Sequence, residues 1–241
     1  MKIFKTFLLL LITIAFIQNS SSAQVSFSAG PSIGLTIPSG DYSGSTLDYY
    51  SGTKFGLSSG INFGAVVRAN LTAVNFKLKV NYSALKNSGN SEPGKGDVQL
   101  KQNLLMVSVG PEYRISIPGS PIKPYIGANL IYTSFSGETS FTGVEKVSSG
   151  TYQLQSASRT GLGLDLGVMF AVGTKSMLDL GLSYNAHNLF GKSFTGADRR
   201  LDSYTSLNDE KDPQFGGDKH PIGSSRTIST LQFNLSYLFN L

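Results

Sequence analysis

From Leu231 to Leu241, every second position is large and apolar: Leu231, Phe233, Leu235, Tyr237, Phe239 and Leu241. The positions between are mostly small or polar, Gln232, Asn234, Ser236 and Asn240, with Leu238 the exception. A period of two is the signature of a β-strand with two unlike faces. No polar tail follows it. An apolar strand left as an unpaired edge invites aggregation. This one is therefore expected to pair with the first strand of its own chain and close a barrel.

The same alternation recurs seven more times. Strands are expected over 25–37, 54–69, 74–83, 98–115, 124–132, 152–172 and 178–187, with 231–241 as the eighth. In the first, Val25, Phe27, Ala29, Pro31, Ile33, Leu35 and Ile37 alternate with Ser, Gly and Thr. Pro31 has no N–H for a ladder, which predicts a bulge there. In the fourth, Val98 and Leu100 differ in parity from Leu105, Val107 and Val109, which predicts a second bulge near Leu104. The connections 38–53, 86–97, 136–151 and 190–225 are rich in turn formers and read as loops. They alternate with shorter turns at 70–71, 116–123 and 173–175.

Composition decides which face lies outside. Charged residues make up 15% of the chain, against roughly 25% in a typical soluble domain. The polar faces are crowded with small residues, among them Gly34, Gly64, Gly110, Gly163 and Gly167. Small residues suit a confined lumen, so the Phe, Leu and Val faces should meet lipid. Past residue 23 no apolar run reaches the roughly 20 residues of a spanning helix, so strands must do the spanning.

Residues 1–23 read as a signal peptide. Lys2 and Lys5 precede an apolar run, and Ser21-Ser22-Ala23 fits small-residue cleavage. Without them the formal charge falls from +5 to +3, too little to argue for nucleic acid. There is no cysteine, which excludes disulfides, thiolate metal sites and a lipidated cysteine. The expectation is an all-β chain. Residues 24–241 should form an eight-stranded antiparallel up-and-down transmembrane β-barrel with short periplasmic turns and long extracellular loops.

Gly110-Pro111-Glu112-Tyr113-Arg114, Lys123-Pro124-Tyr125-Ile126-Gly127-Ala128, Gly161-Leu162-Gly163-Leu164-Asp165-Leu166-Gly167 and the terminal strand carry a family resemblance. With the Ser21-Ser22-Ala23-Gln24 junction, the chain resembles the small outer-membrane β-barrel domain family common in Bacteroidetes. That family is related in architecture to OmpA-like and OmpX-like barrels. The resemblance covers nearly all of the chain after residue 23. It implies an outer-membrane location and contact with outer-membrane lipid, lipopolysaccharide and the barrel-assembly machinery. It says little about activity.

The charged residues expected in the lumen are Arg68, Lys77, Lys79, Glu112, Arg114, Asp165 and Asp179, with His187 beside them. Buried charges must be paired, so a salt-bridged filling is the first reading and a narrow pore the second. Lipid A deacylase barrels are similar in outline, but Leu189 stands where that family has a Ser after its His. Asp179 and His187 are eight residues apart on one strand, roughly 26 Å, so they cannot form the Asp-His pair of omptin-type proteases. Six acids and six bases between Lys192 and Arg226 read as a solvated loop, with His220 a solvated member. No calcium-loop spacing occurs there. The chain is thus read as a non-enzymatic structural, adhesion or interaction protein without cofactor or metal, with a narrow pore for small solutes or ions and a lipid-modifying outer-membrane enzyme as the alternatives. It should act through its four loops on an extracellular protein or surface ligand.

Overall fold

The computed structural model describes residues 25–71, 74–92, 95–196, 200–215 and 220–241. The expected signal peptide lies outside these residues, as do Asp198, Arg199 and Asp218. Among the described residues eight strands form: β1 Ser26–Ser39, β2 Gly60–Asn70, β3 Val74–Glu92, β4 Lys95–Arg114, β5 Ile122–Thr142, β6 Gly150–Val172, β7 Ser176–Phe190 and β8 Ser229–Asn240. Each runs antiparallel to its sequence neighbours, and β8 returns to β1, closing the ring. Ile33 of β1 stands opposite Phe63 of β2 on one side and Leu235 of β8 on the other. The closing pair expected from the terminal alternation is therefore formed.

The period of two sorts the side chains as expected. Phe233, Leu235, Tyr237 and Phe239 point outward and are exposed, while Gln232, Asn234 and Ser236 are buried inside. Leu238 breaks the polar pattern and is buried against Val66 and Met177. Small inward residues have a steric reason. A Cβ on Gly34 would lie 1.9 Å from the backbone oxygen of Phe233, so β1 and β8 can approach as they do only over a glycine.

Several boundaries differ from expectation. Residues 54–59 are not strand; Phe55 and Leu57 instead turn into the barrel and are buried. Neither predicted bulge occurs. β1 keeps one register through Pro31, which stands opposite Ala65. On the β8 side, Gly30 and Pro31 are simply missing from the ladder. β4 keeps one register with both neighbours past Leu104. Irregularities lie instead between Phe135 and Gly137 and between Thr160 and Leu162.

The apolar shift in β4 has a different cause. Near Leu104 both parities are apolar because both sides of the wall are apolar there. Leu105 faces outward, while Val98, Leu100 and Leu104 face an apolar cluster inside.

Two of the four expected loops are largely strand. Residues 86–92 and 95–97 continue the β3–β4 hairpin, paired from Leu85–Gln102 to Asn90–Asp97. Residues 136–142 and 150–151 belong to β5 and β6. Their turn-forming composition is overridden by pairing and by the burial of Leu85, Val98 and Phe141 on the inner face. β3 to β6 thus run on past the apolar outer band, which in β3 ends at Val80 and Tyr82. The overhang is about 10 residues per strand, roughly 30 Å along each strand.

Candidate functional site

The interior has two storeys. The lower one, level with the apolar outer band, is ionic. Arg68 of β2 donates from Nε to Glu112 Oε1 at 3.1 Å and from Nη2 to Asp179 Oδ2 at 2.6 Å. Asn75 donates to the same Glu112 oxygen at 3.3 Å. Tyr125 donates its hydroxyl to Asp179 Oδ1 at 2.8 Å and lays its ring 5.3 Å from the Arg68 guanidinium. Lys77 and Asn129 both donate to Asp165. The bridging of β2, β3, β4, β6 and β7 by these charges satisfies groups that would otherwise be costly to bury.

Two of the expected lumen charges stand apart. Arg114 is half-buried at the turn end and donates to Asn70 at 2.7 Å. Lys79 is buried, yet its Nζ reaches only Gln232 Oε1, at 3.4 Å. A cavity of about 20 Å³ lies beside Arg68, Lys79 and Asn234. That is room for a water-sized particle.

His187 sits higher, on β7. Its Nδ1 is 2.8 Å from the Thr133 hydroxyl and its Nε2 is 2.8 Å from the Thr230 hydroxyl. It is fully buried. Both ring nitrogens are engaged by hydroxyls, and neither faces a carboxylate, so the arrangement lacks the acid that would orient a catalytic histidine. Among the described residues no cluster of His, Asp or Glu could hold a metal ion.

The upper storey is an apolar plug. The helix Thr46–Tyr50, held by a capping box between Ser45 and Asp48, sends Tyr50 inward. Tyr42, Phe55, Leu57, Tyr204, Leu207 and Ile228 join Leu85, Val98, Leu100, Leu104, Phe135 and Phe141 from the walls. Burial of each such side chain contributes about 1.5–3 kcal/mol. Tyr50 and Tyr204 stack at 5.9 Å, and Arg226 lies 4.1 Å over the Phe55 ring. Arg159 of β6 forks onto Asp209.

This overturns the solvated reading of the last connection. His220 is buried, with Nδ1 3.0 Å from the Tyr50 carbonyl and its ring 4.1 Å from Tyr204. Asp209, Leu207 and Arg226 are buried as well. Burial pulls the Arg226 pKa down to about 10. Burial also opposes ionisation of Asp209, but hydrogen bonds from Arg159, Asn188 and the Ser193 N–H outweigh it and hold its carboxyl below the usual range. The signal for this plug lay in the connections themselves: Tyr42, Tyr49, Tyr50 and Tyr204 are too aromatic for free loops. Tyr125 was also legible, since it stands on the polar parity of β5.

The sequence matches the model of the outer membrane protein beta-barrel domain over residues 7–239. None of the curated proteins matches it. Among solved structures, Neisserial surface protein A is 16% identical, with 89% of this chain and 97% of that one covered and a TM-score of 0.51. OprG from Pseudomonas aeruginosa is 12% identical over 91% and 97%, with a TM-score of 0.48. A major outer membrane protein from Thermus thermophilus is 15% identical over 90% and 100%, also at 0.48.

Proposed function

Because the chain belongs to the outer membrane protein beta-barrel domain family, we propose that it is an integral outer-membrane barrel that binds a partner at its projecting end and carries out no reaction. Outer-membrane lipid surrounds the apolar band. The overhang of β3 to β6, with the connections 40–59 and 191–228, faces outward from the cell.

One observation carries this reading. Above Thr160, β6 is paired with β5 but has no strand on its other side, since β7 ends at Phe190 opposite Thr160. Among the described residues, no backbone hydrogen bond from the last connection reaches Thr151 to Ala157. The stretch Thr-Tyr-Gln-Leu-Gln-Ser-Ala-Ser at 151–158 contains no charge and no proline, the usual means of blunting an edge. The opposite edge of the overhang is treated differently. There Asn87 donates to the Gly44 and Gly56 carbonyls, and Thr46 donates to the Asn90 carbonyl. The last connection meets this stretch through a side-chain bond from Ser206 to Gln155, and an uncharged strand edge met only by side chains suits an extended polypeptide that adds a strand. The partner is therefore read as an extracellular protein segment.

Selection from a displayed peptide library against the reconstituted barrel tests this. Binders should lose affinity about tenfold with Thr151→Lys and Gln153→Lys together, and keep it with Gln99→Lys on the middle of the same sheet. Binders indifferent to the edge substitutions would overturn the edge reading. Processing of lipid A that disappears with His187→Ala would overturn the non-enzymatic reading.

A further inference from the structure

We propose that the lumen holds one monovalent anion of chloride size, bound between Lys79, Arg68 and Asn234. This does not depend on what the projecting end binds.

Three observations converge on that spot. The first is a cation without a counter-ion. The side chain of Lys79 is 5% exposed and has no carboxylate within 4.0 Å among the described residues. Its one polar partner, Gln232 Oε1, is also within 3.5 Å of Asn81 Nδ2. The second is the charge balance. The buried groups of the lower storey are Arg68, Lys77 and Lys79 against Glu112, Asp165 and Asp179, with the half-buried Arg114 a fourth cation at the turn end. Each carboxylate already has a cation other than Lys79: Arg68 for Glu112 and Asp179, Lys77 for Asp165. Lys79 is left without a carboxylate at ion-pair distance among the described residues.

The third is the cavity. Its wall includes Arg68, Lys77, Lys79, Asp179 and Asn234, and its volume is about 20 Å³. Two donors on that wall are buried without a partner among the described residues, Arg68 Nη1 and Asn234 Nδ2. Asp179, on the same wall, has one oxygen accepting from Arg68 and the other from Tyr125.

The chemistry selects the occupant. Buried donors without partners and a buried cation without a counter-ion are both costly. A water would accept from two donors and could give its protons to the Ser183 or Ser236 hydroxyls on the same wall, but it would leave the Lys79 charge uncompensated. A halide accepts from several donors at once, donates nothing and gives Lys79 a counter-ion at short range. A space for about one water-sized sphere excludes sulfate, phosphate and carboxylate ligands.

The test uses the full barrel folded in detergent micelles. Its thermal midpoint is followed during titration with sodium chloride, sodium bromide and sodium gluconate at matched ionic strength. Chloride and bromide should raise the midpoint saturably and gluconate should not. A bromide-soaked crystal should show an anomalous peak beside Lys79 Nζ. Lys79→Gln, checked for folding by heat-modifiable gel mobility, should weaken the halide response at least tenfold. An identical response to gluconate would overturn the proposal. So would a bromide-soaked crystal without that peak, or a folded Lys79→Gln barrel that keeps the response. If Lys79→Gln does not fold, the halide–gluconate comparison on the native chain decides alone.

Discussion

Arg159 and Asp209 meet through two parallel hydrogen bonds, Nε to Oδ2 at 2.8 Å and Nη2 to Oδ1 at 2.7 Å. They join the barrel wall at β6 to the connection that fills its mouth. Asn188 and the Ser193 N–H add bonds to the same carboxylate. This fully buried acid is one of the ties between plug and wall, beside the Asn188 amide on the Arg226 carbonyl and the Ile228 N–H on Asn188.

Replacing that acid should loosen the plug around β6 and spare the barrel. Asp209→Ala leaves the Arg159 guanidinium buried without its partner, at a cost of about 3 kcal/mol. Chymotrypsin should then cut at Tyr204, which is shielded in the native fold, while heat-modifiable mobility persists.

Acid should do the same reversibly. The Asp209 carboxyl is held below its ordinary value of 3.8. Its contribution is complete above that value and is lost as pH falls through the lowered folded value. Hydrogen exchange across 200–209, corrected for intrinsic rate, should accelerate below about pH 4. An Asp209→Asn chain should exchange quickly at every pH. Equal protection in both chains at pH 6 would contradict this.

The limit of the lipid band can be located by charge insertion. Leu166 faces outward, half exposed, opposite Ile126 and Leu182. Leu166→Arg should destabilise the folded barrel by about 2–4 kcal/mol in lipid. Gln99→Arg points outward on the overhang and should change stability by no more than about 0.5 kcal/mol. Urea unfolding in vesicles measures both.

Closure rests on the seam between β1 and β8. Gly34→Ala would drive a methyl into the Phe233 carbonyl, and folded yield should collapse. Ser32→Ala is on the same face, and the Ser32 hydroxyl has no partner; it should assemble normally. Deletion of Tyr237 to Leu241 removes the ladder to Ala29 and to Leu178 and should abolish heat-modifiable mobility.

The ionic storey should respond as a unit. Arg68→Met strands Glu112 and Asp179 and should cost about 3–5 kcal/mol. Adding Glu112→Gln and Asp179→Asn removes the stranded charges and should recover much of that loss, because neighbours in one network are not additive.

Much of the fold was legible because strand faces are a local property. Ile33, Leu35 and Ile37 on one parity, with Ser32, Gly34 and Thr36 on the other, state which side is lipid without reference to any other strand. The charged lumen residues followed from the same parity. What failed was reading composition as conformation. Asn87, Ser88 and Gly89 look like a loop, yet they pair with Leu100, Gln99 and Val98. His220 looks solvated, yet it lies against Tyr204.

The sequence alone determined eight alternating segments and their two faces, since a period of two needs only neighbours one and two positions away. The tertiary structure decided the rest. It made the lumen ionic at one height and aromatic at the next, laid the last connection into the mouth, and left Lys79 without a carboxylate. These depend on which residues of separate strands share a level. That is set by the register of the whole ring, which no single segment contains.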